Sequence, residues 1–146
     1  MKDVAFICAI FAGLIGIAPA FGACLDYEPT VVSLSGTLAR EVHPGRPNYE
    51  SIANGDEPEA IWVLKLDSPI CINDAGFMAP AETNVTEIQL VLSAEQYEEH
   101  ATLMGSHVTA SGTLFHEHTG HHHKTLLLNT STITQDTGTP AAVPAP

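Results

Sequence analysis

The densest concentration of chemically capable side chains is His116-Glu117-His118-Thr119-Gly120-His121-His122-His123, six potential metal ligands in eight positions. Residues two apart on an extended strand point to one face, so His116 and His118 can converge, as can His121 and His123 beyond a turn at Gly120. Zinc, copper and nickel accept imidazole nitrogens, and His122 and the Glu117 carboxylate extend the donor set. A metal site also demands three or four ligands held in fixed geometry, which a flexible turn does not guarantee. The competing expectation is therefore a solvated or internally hydrogen-bonded turn without a cofactor.

A second candidate set is His43, Arg46, Asn48 and Tyr49, around Gly45-Arg46-Pro47-Asn48-Tyr49. These residues offer donors, one cation and an aromatic surface to a ligand. The plainer expectation is a well-formed turn, because Pro and Asn favour turns for backbone reasons. Asp56, Glu57 and Glu59 read as a solvated face. Trp62 shares a face with Leu64 and Leu66 and is expected in the core, and Tyr27 is expected to pack near the cysteines. Catalysis finds little support. The chain has no Gly-x-Ser-x-Gly elbow, no phosphate-cradling glycine loop before a helix and no His-Glu-x-x-His motif, so it is not expected to be an enzyme.

Alternation defines the elements that must position these groups. Thr30 to Leu38 places Val32, Leu34, Gly36 and Leu38 on one face of a first strand, and a long Pro-, Gly- and Glu-rich connection follows from Ala39 to Ala60. Ile61 to Asp67 forms a second strand, stopped by Ser68-Pro69. Asn73 to Asn84 reads as loop, and Thr86 to Leu92 forms a third strand. The period then changes. Ser93-Ala94-Glu95-Gln96 has capping-box spacing, and Tyr97, Ala101 and Met104 follow at helical intervals up to Gly105, which is suited to a left-handed end. His107 to Phe115 forms a fourth strand with Val108, Ala110, Gly112 and Leu114 inward. Lys124 to Ile133 forms a fifth, whose inward face Leu126-Leu127-Leu128 leaves ambiguous.

Three strands, a short helix and two strands make a mainly β chain in the order of an OB-like Greek-key barrel, with the helix between strands three and four. Gly36 and Gly112 lie inside strand patterns, where a small barrel must bend sharply. In such a barrel the connections between strands one and two and between strands four and five border the ligand face. Here those connections carry the Arg46 turn and the histidine tract, so the two are expected to face each other.

Lys2, an apolar run from Val4 to Ala18, and Pro19-Ala20-Phe21-Gly22-Ala23 have the order of a secretory signal peptide over residues 1–23. The apolar run falls short of a bilayer span, so the mature form is expected to have no integral membrane association and to be periplasmic or secreted. Cleavage after Ala20 and after Ala23 both fit. The mature chain then keeps two cysteines, Cys24 and Cys71, the arithmetic of one disulfide. The alternative is a lipidated Cys24 beside a free Cys71, which Phe21 disfavours by standing where a lipobox has Leu. A barrel domain is expected over residues 24–134, and Gln135 to Pro146, without periodicity, is expected to be a disordered tail. The formal charge is −12 and is unchanged by loss of Lys2 and Asp3, which disfavours nucleic-acid partners.

The pieces Cys24-x-x-Tyr27-x-Pro29, Gly45-Arg46-Pro47-Asn48-Tyr49, Trp62-Val63-Leu64-x-Leu66-Asp67-x-Pro69-Ile70-Cys71, Ile88-Gln89-Leu90 and Thr119-Gly120-His121-His122-His123 resemble a family of small exported bacterial proteins described only as a domain of unknown function. The resemblance runs from Cys24 to Ile133 and implies export and a shared architecture rather than an activity. Lys124 departs from it, where Thr would follow the histidines. Two functional expectations follow: a non-catalytic module that binds a small ligand or a protein partner through the two loops, or a zinc-, copper- or nickel-binding protein that uses the histidine tract.

Overall fold

The computed structural model describes residues 23–137, so the expected signal segment up to residue 22 and the tail beyond residue 137 lie outside the described residues. Five strands, β1 (Val31–Pro44), β2 (Pro58–Ile72), β3 (Glu82–Val91), β4 (His107–His116) and β5 (Leu126–Gln135), close into a barrel in the order β1-β2-β3-β5-β4. Only β3 and β5 pair in parallel, over Gln89 to Val91. The short helix α1 (Ala94–Glu99) links β3 to β4. This is the mainly β, OB-like order expected from the alternation.

The barrel core is built from the inward rows: Val32, Leu34 and Leu38 of β1, Trp62 and Leu64 of β2, Ile88 and Leu90 of β3, Val108, Ala110 and Leu114 of β4, and Leu126, Leu128 and Ile133 of β5. Burial of these apolar side chains drives closure. Closure is tight where the glycines sit. A Cβ on Gly36 would fall on the Lys65 carbonyl, and one on Gly112 on the Asn129 carbonyl. The capping box forms, with Ser93 Oγ accepting the Gln96 N–H and the Gln96 side chain accepting the Ser93 N–H. Tyr97 stacks edge-on against Trp62 at 5.0 Å and closes one end of the core. Tyr27 is buried at the core, its hydroxyl donating to the Pro80 carbonyl. Cys24 and Cys71 form the expected disulfide, and Leu25 bridges to Ile72 beside it.

Several boundaries differ from the sequence reading. β1 runs on to Pro44 and β2 begins at Pro58, so much of the presumed loop is a hairpin arm with Val42 opposite Ala60 and His43 opposite Glu59. Arg40, Val42 and Pro44 on one face and Ala39, Glu41 and His43 on the other mix polar and apolar residues, which hides the alternation. β2 continues through Pro69 because β1 pairing has ended at Leu66 and the β3 register shifts between Lys65 and Ile70, so no ladder bond is asked of the proline. The helix ends at Glu99 rather than near Gly105. A 3-10 turn, Ala101–Leu103, follows, and Leu103 and Met104, not Ala101, pack on the core. β5 extends through Gln135, a residue assigned to the tail in the sequence reading, because it pairs with Val108.

Candidate functional site

The two loops expected to face each other are in contact. The segment between β4 and β5, residues 117–125, folds back over the outer face of β1, β2 and β3. That face carries one continuous row, Ala39-Val63-Gln89-Leu127-Phe115, in ladder register. Val63 and Leu127 are fully buried although they point away from the barrel core, which resolves the ambiguity of the three leucines. Leu126 and Leu128 face the core, and Leu127 faces the covering loop.

Gln89 fastens that loop. It is 6 % exposed on an outward position, where its amide nitrogen donates to the His121 carbonyl at 2.9 Å and its oxygen accepts the His123 N–H at 2.8 Å. Its side chain thus substitutes for a neighbouring strand and satisfies two loop backbone groups that burial would otherwise leave unpaired.

Around this clasp the charged groups pair across the loop. Glu59 on β2 receives both His121 Nδ1 and, at 3.0 Å, His123 Nε2. Burial would raise the Glu59 carboxyl, but the hydrogen bonds from His123 and His121 together hold it below the usual carboxylate range. A carboxylate only accepts, so His121 donates through Nδ1, and its Nε2 lies 3.1 Å from the Tyr49 hydroxyl. His43 stacks on His123 with centroids 4.6 Å apart and bonds to Glu41 at 2.9 Å. Lys124 lies between Glu41, at 3.0 Å, and Glu87, at 2.6 Å. Desolvation lowers the Lys124 ammonium, and the two carboxylates outweigh it and raise the group.

The remaining histidines form a separate group. His122 Nδ1 accepts the His118 backbone N–H at 3.0 Å, which requires an unprotonated nitrogen there. Burial and the neighbouring His118 lower the His122 imidazole, in agreement with that role. His118 and His122 pack edge to face at 4.6 Å, with the Phe115 ring against both. His116 lies apart, with Nε2 3.3 Å from Glu82. The five histidines of the tract are thus divided: His121 and His123 share Glu59, His118 and His122 pair with each other, and His116 faces Glu82. Among the described residues, no three His, Cys, Asp or Glu side chains converge as a metal-ligand set.

The Arg46 turn presses on the histidine loop through Tyr49. Tyr49 has a positive φ of 60°, a strained setting for a large side chain, and its ring lies on Gly120 so closely that a Cβ there would come within 2.8 Å of it. Asn48, a candidate ligand donor, is turned instead to Asp56 at 3.1 Å. Asp56 is buried, not part of a solvated face. It accepts from the backbone N–H groups of Asn48, Glu50 and Ser51 as well, and these bonds, Ser51 first, lower its carboxyl. Arg46 and Glu57 are joined by their backbones, the Glu57 N–H donating to the Arg46 carbonyl at 2.7 Å, yet the two side chains form no ion pair. Both line a cavity of about 450 Å³ completed by Gly45, Pro58, Glu59, Ala60 and His121.

Residues 87–134 match the model of a family described as Domain of unknown function (DUF4431). No curated protein matches the chain. The matched span contains Glu87, Gln89, the whole histidine tract and Lys124, the covering loop together with the part of its clasp that lies on β3.

The sequence reading missed Gln89 as a clasp, and it missed Glu41, Glu59 and Glu87 as the partners of His43, of the His121 and His123 pair, and of Lys124. The one available signal was the inconsistency of Leu127 with a two-faced strand: an apolar side chain on an outward position implies that something covers it.

Proposed function

We propose that this chain is an exported, non-catalytic binding module that recognises a small polar ligand at the junction of the β1–β2 and β4–β5 loops. The observation that carries this reading is the pair of unmatched opposite charges on the cavity wall. Arg46 and Glu57 are backbone neighbours, yet among the described residues neither side chain has an ion-pair partner, and both line the same space. A cavity of about 450 Å³ is of a size that takes a small ligand. The His121 ring, fixed through both nitrogens by Glu59 and Tyr49, forms a rigid part of its wall. Export is supported by the Cys24–Cys71 disulfide, which persists in oxidising compartments. The charge of −12 argues against a polyanionic partner.

The test is an amide-resolved NMR titration of the disulfide-bonded chain with small zwitterions and with neutral sugars. Saturable shifts at Gly45, Ala60 and His121 that disappear in Arg46→Ala are the expected result. Absence of any saturable response at those amides overturns the reading. So does tight zinc, copper or nickel binding that is lost when His121, His122 and His123 are replaced by Ala, which would favour the metal-binding alternative.

A further inference from the structure

A second cavity, of about 500 Å³, shares no lining residue with the first. It is bounded by Tyr27, Met78, Ala79, Val91 and Phe115, with Glu28, His116, His118 and Asn129 as its polar groups. Of the apolar lining, Val91 and Phe115 are set on β3 and β4 and Tyr27 is buried, while Met78 and Ala79 come from the loop between β2 and β3. Met78 is 68 % exposed at this cavity, and its neighbour Phe77, at 98 %, is the most exposed large apolar residue among those described. Apolar side chains held in water beside an apolar hollow mark a surface that gains by being covered.

Charge decides what covers it. Among the described residues no Lys or Arg lines the cavity, and Glu28 has no ion-pair partner. Glu82 stands just behind His116. The His118 ring donates through Nδ1 to the His116 carbonyl at 3.1 Å, which makes Nε2 the acceptor position of that tautomer. The polar groups are thus rich in acceptors, and the chain as a whole is strongly negative. An anion would meet the Glu28 carboxylate, while the His116 imidazole is already turned to Glu82. A protonated amine on an apolar body would meet a carboxylate, an imidazole acceptor and an aromatic wall.

We propose that this cavity binds a hydrophobic amine, an aryl or alkyl group seated against Phe115, Val91 and Met78 with its ammonium directed to Glu28 and His118. The site is independent of the Arg46 cavity, and either can fail without the other.

The experiment compares three probes of one shape, phenethylamine, 2-phenylethanol and phenylacetate, by NMR titration of the disulfide-bonded chain. Phenethylamine is expected to give saturable shifts at Ala79, Val91, Phe115 and Asn129. The alcohol should bind more weakly, and phenylacetate most weakly. Glu28→Gln, on an exposed side chain, should weaken phenethylamine about tenfold, the loss of one charge-assisted hydrogen bond, and leave the alcohol unchanged. Arg46→Ala should leave all three titrations unchanged. Phenylacetate binding as tightly as the amine, an equal effect of Glu28→Gln on amine and alcohol, or no saturable shift at these residues overturns the proposal.

Discussion

The Gln89 side-chain oxygen accepts the His123 backbone N–H at 2.8 Å, and through the His121 carbonyl the same amide grips the loop a second time. A polar side chain on the outside of a β-barrel thereby becomes the fixed point of the histidine loop. Gln89→Leu would keep the volume and remove both bonds, leaving a loop carbonyl and an N–H to be hydrated or stranded. An unsatisfied buried backbone group costs about 1 to 3 kcal/mol, and partial hydration of the loop places the expected loss near 2 kcal/mol. Urea unfolding of the variant checks it. Hydrogen exchange should quicken more at residues 118–124 than at Val108 to Leu114, whose exchange follows only the global loss.

The contact of Tyr49 with Gly120 supplies a second test. In Gly120→Ala the new Cβ would meet the ring within 2.8 Å, so one loop must move. A loss of about 1 to 2 kcal/mol is expected from overpacking. In a Tyr49→Ala background the same substitution should cost almost nothing, and the resulting non-additivity in a double-mutant cycle is the measurement. Equal costs in both backgrounds would show that the two loops do not bear on each other.

Much of the barrel was legible because its inward rows alternate cleanly, as in Val32, Leu34, Gly36 and Leu38, and because the Ser93 and Gln96 capping box marks the helix. The hairpin arm was not legible. Arg40, Glu41 and His43 on one strand and Glu59 on the other carry no apolar period, and their pairing rests on backbone bonds and on charge partners remote in sequence. The same remoteness hid the site. His121 and Glu59 are 62 residues apart, and nothing local to either names the other. Asp56 looked solvated because it sits among acidic residues in a polar segment. Its burial follows from the turn around it, whose backbone N–H groups all point at one carboxylate.

His107 makes stability depend on pH. Its ring lies between Asp67, at 2.8 Å, and Asp136, at 2.9 Å, and the hydrogen bond to Asp67, with the charges of both aspartates, raises the imidazole above its ordinary value. A raised folded-state value means that the contribution is complete below the unfolded pKa of about 6.5 and is lost as pH climbs through the higher folded value. His107→Gln should therefore destabilise most near pH 6. The gap from the unsubstituted chain should close as the solution becomes alkaline, measured by paired urea titrations across that range. A gap that widens with rising pH would contradict the assignment.

Lys124 stands where the resemblance anticipates Thr, and its position explains what the longer side chain does. Its ammonium separates Glu41 on β1 from Glu87 on β3, and all three side chains are largely screened from solvent. Lys124→Thr would leave two carboxylates facing each other under the loop without a counter-charge. At neutral pH a loss of about 1 to 2 kcal/mol is expected, less than for a fully buried pair because water can enter from the rim. The Glu41 carboxyl is held low, chiefly by its hydrogen bond from His43 and further by Lys124. A lowered folded-state value contributes stability above the unfolded value of about 4.3 that is lost as pH falls through the folded one. The penalty for Lys124→Thr should accordingly be full at pH 7 and shrink as pH falls through the lowered Glu41 value, where that carboxyl takes up a proton and the repulsion ends. Glu87→Gln in the Lys124→Thr background should recover part of the loss at pH 7, since it removes one of the two opposed charges. A penalty that is independent of pH and untouched by Glu87→Gln would assign Lys124 a packing role through its aliphatic stem instead.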